Sequence, residues 1–220
     1  MIINTISETL FFCASSCEKP QTCYVGANDK DFSPITKKAF YFLRHGQTDL
    51  NLERRHQGQQ NTPLNETGKE QAHQAGIILA HYGIKTICSS PLLRAQETSE
   101  IVSKKVGADI HYLDHLKERY KGEAEGLLYK ECSFRNSFDN ITDEKPSGAE
   151  SNKQFLTRTI NAINQALGMA GPVLIVTHGG VLRCLSYYLK VNLTNQIERA
   201  NCLPLLFEPS DKGWTVKVIS

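Results

Sequence analysis

Two apolar runs frame the chain. Ala39-Phe40-Tyr41-Phe42-Leu43 stops abruptly at Arg44, and Val173-Leu174-Ile175-Val176 stops at Thr177-His178. Unbroken runs of this length predict strands buried on both faces, as in a parallel sheet. Between them the pattern changes period. A helix is expected from about Glu66 to His81, with Asn65 or Thr67 as its cap and Thr67 to Glu70 at capping-box spacing. Lys85 to Cys88 reads as a short strand. Ser90-Pro91 then opens a helix to about Val106, with Ser as N-cap and Pro in the first helical position. Asp109 to Leu113 is a strand, Glu150 to Met169 a helix ended by Gly171-Pro172, and Val181 to Leu189 a further helix. Leu203 to Phe207 and Trp214 to Ile219 read as two final strands around a turn at 210–213. Residues 46–64 read as loop, and 114–149 as an excursion with a short helix. Strands alternating with helices imply an α/β fold whose sheet is covered on both faces. The expected architecture is a three-layer α/β/α sandwich with a mostly parallel central sheet.

Residues 1–38 lack this periodicity and read as an N-terminal extension; 39–220 read as one domain, with 114–149 as a small cap segment. Leu10-Phe11-Phe12 is too short for a secretory signal, has no preceding Lys or Arg, and follows Glu8. No apolar run approaches the ~20 residues of a membrane span. The formal net charge of +2 does not predict nucleic acid or an anionic membrane as partner. The seven cysteines are odd in number and irregularly spaced, which fits a reduced, cytoplasmic protein. Cys13, Cys17 and Cys23 cluster, but lack the second pair or the histidines of a metal knuckle.

Chemistry concentrates where strands end. The first strand ends at Arg44-His45-Gly46, the second runs into Ser89-Ser90-Pro91-Leu92-Leu93-Arg94, and the later one ends at Thr177-His178-Gly179-Gly180. Open α/β sheets bind ligands outside the carboxyl ends of their strands. That brings Arg44, His45, Arg94 and His178 towards one pocket. Two guanidiniums fork onto a phosphate dianion. Arg94 lies in the first turn of its helix, where the dipole favours an anion. Imidazole is a competent nucleophile at neutral pH, and a second histidine can donate to a phosphoryl oxygen. The tripeptide alone is weak evidence, because a lone histidine at a strand end is usually structural.

The motifs taken together are specific. Arg44-His45-Gly46-Gln47-Thr48 with Asn51, Arg55 and Gly58 resembles the opening motif of the histidine phosphatase superfamily, the phosphoglycerate mutase-like enzymes. Pro63-Leu64, Gly68, Gln71-Ala72, the run Ser89 to Thr98, Leu116-Lys117-Glu118 with Gly122 and Glu125-Gly126, Pro146 to Ser151, and Thr177-His178-Gly179 continue it in order over about residues 39–190. The resemblance implies that His45 is the phosphorylated nucleophile. Arg44, Arg94 and His178 would hold the phosphoryl group, with Asn51 and Gly179 as helpers. Glu118 would protonate the leaving oxygen and then activate water, with a bound dianion raising its pKa. Arg119 is either a substrate contact or a solvent-facing residue; Arg55 and Glu150 are either loop anchors or substrate contacts. His56, His73, His81, His111 and His115 match no essential position.

Only 31 residues separate Glu118 from Glu150. The mutases resembled here carry a long insertion in this interval, which shields the phosphohistidine from water. The short interval therefore favours hydrolysis over transfer. The expected substrate is a small-molecule phosphate monoester. No metal or other cofactor is expected, and 2,3-bisphosphoglycerate only on the mutase reading. Cap charges nearly balance (Lys121, Lys130 and Arg135 against Glu123, Glu125, Glu131 and Asp139), so a highly phosphorylated substrate is not indicated. Phe134 and Phe138 pack the cap or line the pocket. Two rivals remain at this point: a non-catalytic phospho-ligand binding module, and a metallohydrolase using His45 and His178 as ligands. Oligomeric state is not legible.

Overall fold

The computed structural model describes residues 32–132 and 145–220. Cys13, Cys17, Cys23, Phe134, Arg135, Phe138 and Asp139 lie outside them. Its helices and strands run, in order, β1 Phe40–Arg44, α1 Asp49–Leu52, α2 Glu66–Leu79, β2 Thr86–Ser89, α3 Leu93–Val106, β3 Asp109–Tyr112, α4 Asn152–Leu167, β4 Val173–Thr177, α5 Gly179–Leu189, α6 Asn195–Arg199, β5 Leu205–Ser210 and β6 Gly213–Val218.

The six strands form one sheet in the order β3-β2-β4-β1-β5-β6. β3, β2, β4 and β1 are mutually parallel where they pair, and β5 and β6 add an antiparallel edge. The apolar runs are buried on both faces. Phe40, Phe42, Val173 and Ile175 pack with α4 and α5 residues such as Phe155, Ile163 and Leu185. Leu43, Leu174 and Val176 point the other way, onto Ala72, Leu79, Ala95 and Val102 of α2 and α3. This alternation makes the three layers.

Differences from the sequence reading are local and have physical causes. α1 is a four-residue helix inside the expected loop, closed by a capping box between Thr48 and Asn51. α6 is five residues with Thr194 as cap. Elements this short show no periodicity. α3 begins at Leu93, not at Pro91; its first amides are met by Asn61 Oδ1, which accepts from Leu93 N at 2.7 Å, and Ser90 Oγ, which accepts from Leu92 N at 3.3 Å. α4 starts after Ser151, whose capping box with Gln154 places the start beyond Glu150. α5 starts two residues early, at Gly179.

Residues 32–38, read as the end of an extension, pack on the domain. Ile35 is buried in the core, Thr36 N donates to Asn164 Oδ1 at 2.8 Å, and Asn164 Nδ2 donates to Pro34 O at 3.0 Å. Among the described residues no helix is long and apolar enough to cross a membrane. Cys88, Cys184 and Cys202 are free and buried, and burial pushes each thiol up to about 12.

Candidate active site

Sheet register brings the three motifs together. Arg44 pairs with Thr177 and Ser89 with Val176; beyond the strands, His45 N donates to Thr177 O and Ser90 N to Val176 O, both at 2.9 Å. His45, Ser90 and His178 thus leave neighbouring strands at one level. β4 lies between β1 and β2 although it follows both in sequence, so the order reverses here.

His45 is buried, and its ring centroid lies 5.2 Å from that of His178. Its Nδ1 is 2.7 Å from Gly46 O; a carbonyl can only accept, so Nδ1 carries the proton. Nε2 is left with its lone pair, accepting from Arg94 Nε at 3.2 Å. Burial holds the His45 pKa well below the usual histidine range, and Arg94 and Arg44 add to the effect. The imidazole is neutral at pH 7. Gly46 is required on this turn, since a Cβ there would overlap the Gly68 carbonyl oxygen.

Arg94 is almost fully buried. Nη1 donates to Gln60 O and Nη2 to Gly58 O, each at 2.8 Å, and burial lowers its pKa to about 10, leaving it charged. Arg44 Nη1 donates to Arg199 O at 2.7 Å, while its Nε is buried without a partner among the described residues. Gly179 lets this side chain lie against the start of α5, because a Cβ there would sit 3.2 Å from Arg44 Nε. His178 Nε2 is 2.7 Å from Ser90 Oγ, and its Nδ1 is a second buried orphan. Burial, then Arg94, holds the His178 pKa well below the ordinary value.

Glu118 reaches this cluster from the loop after β3. Oε1 accepts from Arg119 N and Oε2 from Gly180 N, both at 2.8 Å. A Cβ on Gly180 would overlap Oε1, so glycine here is a steric requirement of the acid. That explains a glycine in the first turn of α5, where helix propensity opposes it. The sequence reading expects a bound dianion to raise the carboxyl pKa; without one, the protein alone sets it. Burial does raise it, but Lys121, Arg183 and the two backbone N–H groups outweigh burial and hold it below the ordinary value. The carboxylate is thus ionised before ligand arrives.

Other expected residues fall elsewhere. Asn51 Oδ1 accepts from Thr48 N and Thr48 Oγ1 at 3.3 Å, so its carbonyl closes α1. Arg119 does not face solvent: it is buried, its Nε and Nη2 donate to Glu150 O and its Nη1 to Asn152 Oδ1. Glu150 and Arg55 are anchors. Glu150 pairs with Arg158 Nε at 2.6 Å, and Arg55 Nη1 donates to Gly126 O at 2.8 Å. Arg158, which sequence reasoning passed over, also donates to the carbonyls of His115, Lys117 and Glu118. It staples the acid-bearing loop to α4. Ser90, Lys121, Arg183 and His56 were also passed over or set aside. In sequence they resemble solvated polar positions; only Arg183, three residues beyond Gly180 on α5, had a spacing that would put it on the acid's side. Among the described residues no three His, Cys, Asp or Glu side chains are grouped to hold a metal ion.

Comparison with known proteins agrees with this geometry. The chain is 36% identical over 147 residues to the uncharacterized phosphatase PhoE of Bacillus subtilis, covering 67% of this chain and 75% of that protein. It is 36% identical over 196 residues to the agropine synthesis reductase of Rhizobium rhizogenes, covering 84% of this chain but only 43% of that longer protein. A probable phosphoglycerate mutase, GpmB of Salmonella paratyphi B, is 35% identical over 153 residues, covering 66% of this chain and 71% of that protein. Among solved structures, a mycobacterial glucosyl-3-phosphoglycerate phosphatase complexed with VO3 superposes with a TM-score of 0.67 at 26% identity, covering 82% of this chain and 97% of that one. Residues 40–220 match the model of the histidine phosphatase superfamily (branch 1), and the chain belongs to that superfamily.

Proposed function

We propose that this protein is a phosphomonoester hydrolase working through a phosphohistidine on His45. The observation that carries the reading is the neutral His45 ring, its Nδ1 proton fixed on Gly46 O and its Nε2 lone pair held beside Arg94. In this reading Nε2 attacks phosphorus and the bond to the ester oxygen breaks. Glu118 gives its proton to that oxygen. The carboxylate then takes a proton from water, whose oxygen attacks the phosphohistidine to release inorganic phosphate and the free imidazole. Arg44 and Arg94 supply the positive charge that meets the phosphoryl oxygens. With the Ser90 hydroxyl donating to His178 Nε2, the proton of the neutral His178 ring sits on Nδ1, the buried orphan, where it can meet a phosphoryl oxygen.

Glu118 begins ionised and takes up a proton from solvent as the dianion binds, because negative charge placed beside a carboxylate raises its pKa. The short Glu118–Glu150 interval supports water over a second substrate oxygen as acceptor; phosphoglycerate mutase-type transfer is the alternative. Hydrolysis of p-nitrophenyl phosphate in excess chelator, inhibited by vanadate, is the expected result. Activity lost on chelation would overturn the mechanism. Failure to turn over any phosphomonoester would point to a binding module instead.

A further inference from the structure

We infer that His56, Lys121 and Arg183 form a second oxyanion subsite beside Glu118, so that the favoured phosphate monoester carries a further anionic group, carboxylate or phosphate, on its alcohol portion. The inference rests on the hydrolase reading for its placement, because Glu118 is the group that meets the ester oxygen there. Lys121 and Arg183 act on Glu118, and both act on His56, so a ligand group beside Glu118 comes within their field.

Two of them have buried polar atoms with nothing to bond. His56 is nine-tenths buried, and its Nε2 is buried without a partner among the described residues. Arg183 Nε is likewise buried and unpartnered. Buried polar atoms without partners are uncommon and costly; the Arg183 Nε–H, and the His56 Nε2 when it carries the ring proton, would be satisfied by a ligand oxygen. Lys121 is buried as well. The three lie close enough to act on one another: Lys121 and Arg183, after burial, help depress the His56 pKa to about 4, and burial lowers that of Lys121 to about 8.

The chain explains how they meet. Lys121 lies three residues after Glu118. Arg183 lies three residues after Gly180, whose N–H holds the Glu118 carboxylate, so both occupy one face of α5. His56 is fixed by two backbone bonds: its N–H donates to Leu127 O at 2.9 Å, and its carbonyl accepts from Gly126 N at 2.7 Å. The Tyr129 ring lies 4.6 Å from its imidazole. The opposing charges differ in placement. Glu123 and Glu131 are exposed, and Glu125 Oε1 accepts from the backbone amides of Gln59 and Lys121. Counting cap charges along the sequence gave near balance; inside the site the balance is cationic.

The test uses matched pairs. 3-Phosphoglycerate and glycerol 3-phosphate differ by a carboxylate; fructose 1,6-bisphosphate and fructose 6-phosphate differ by a phosphate. Calorimetric binding to the His45→Ala protein needs no turnover. The expected result is that the more anionic member of at least one pair binds about tenfold tighter or better, the scale of one charge-assisted hydrogen bond. Which pair shows the effect distinguishes carboxylate from phosphate. Adding His56→Gln or Lys121→Met should shrink the ratio to about twofold, while Lys121→Arg, which keeps the charge, should retain more of it. Melting curves confirm that each variant is folded. Equal affinities within both pairs, or a preference that survives His56→Gln and Lys121→Met, would overturn the inference. A preference in binding without hydrolysis of any ester would instead overturn the hydrolase reading and leave the subsite standing.

Discussion

The proposed nucleophile, His45, and the proposed acid, Glu118, are held by different means. His45 sits one residue beyond β1, and strand register places it. Its backbone N–H bonds Thr177 O, its carbonyl accepts from Asn201 Nδ2 at 2.7 Å, and Gly46 N donates to Thr98 Oγ1 at 3.0 Å. Glu118 sits in an irregular segment with no sheet partner. Side chains hold that loop: Arg158 and Gln59 Nε2 both donate to the Glu118 carbonyl, and Arg119 donates to Glu150 O. Backbone ladders tolerate most substitutions, because every residue carries the same amide. A loop hung on guanidinium groups depends on the identity of each one. The His45 side of the site is therefore set by sheet register, and the Glu118 side by particular guanidinium side chains.

Predictions that break this contrast run from large effects to small. His45→Ala should lower phosphatase turnover on the order of 10⁴-fold or more and abolish acid-labile phosphate incorporation, since no other group takes the nucleophile's place. Retained turnover would put the nucleophile elsewhere. Glu118→Gln should cost roughly 10²–10⁴-fold with alkyl phosphates and less with p-nitrophenyl phosphate, whose leaving oxygen needs little protonation. An equal loss on both substrates would move the acid to another residue. Gly180→Ala should cost on the order of 10²-fold in kcat, because the new Cβ displaces the carboxylate while the phosphate cradle stays intact. Vanadate inhibition should survive this change, which separates acid placement from cradle damage.

Arg158→Met should act more gently. We expect kcat to fall roughly tenfold with little change in KM, and Tm to drop by about 4–8 °C if the lost buried contacts are worth ~2 kcal/mol. An unchanged Tm would show that the loop does not hang on this side chain. The smallest effect is on stability against pH. The His56 pKa is about 4 in the folded chain and ordinary, near 6.5, when unfolded. The unfolded chain thus binds the extra proton between these values, and stability falls as pH drops from about 6.5 towards 4. His45 and His178, also depressed, act in the same direction. Glu118, lowered on folding, adds a further loss only below its unfolded range. His56→Gln should flatten the dependence of Tm on pH over that interval; an unchanged slope would contradict the depressed imidazole.

Much of this protein was written in its periodicity. The runs at 40–43 and 173–176 are apolar at consecutive positions because both sheet faces are covered. Strand-end polar motifs identify their own edge of the sheet, so His45, His178, Arg44 and Arg94 were legible as one group. Short elements were not legible. α1 and α6 are each about one turn, held by capping side chains whose effect exceeds any pattern of period 3.6.

The sequence by itself determined the layers, the sheet-edge location of the site and the grouping of Arg44, His45, Arg94 and His178, because these follow from hydrophobic period and from motifs at strand ends. Only the tertiary structure decided what surrounds Glu118. Arg119 turned inward to the start of α4, Glu150 became an ion-pair anchor, and Lys121 and Arg183 came from separate segments to act on both Glu118 and His56. The reason is physical: charge state and hydrogen-bond partnership depend on distance and burial, and neither is encoded within a local window of residues.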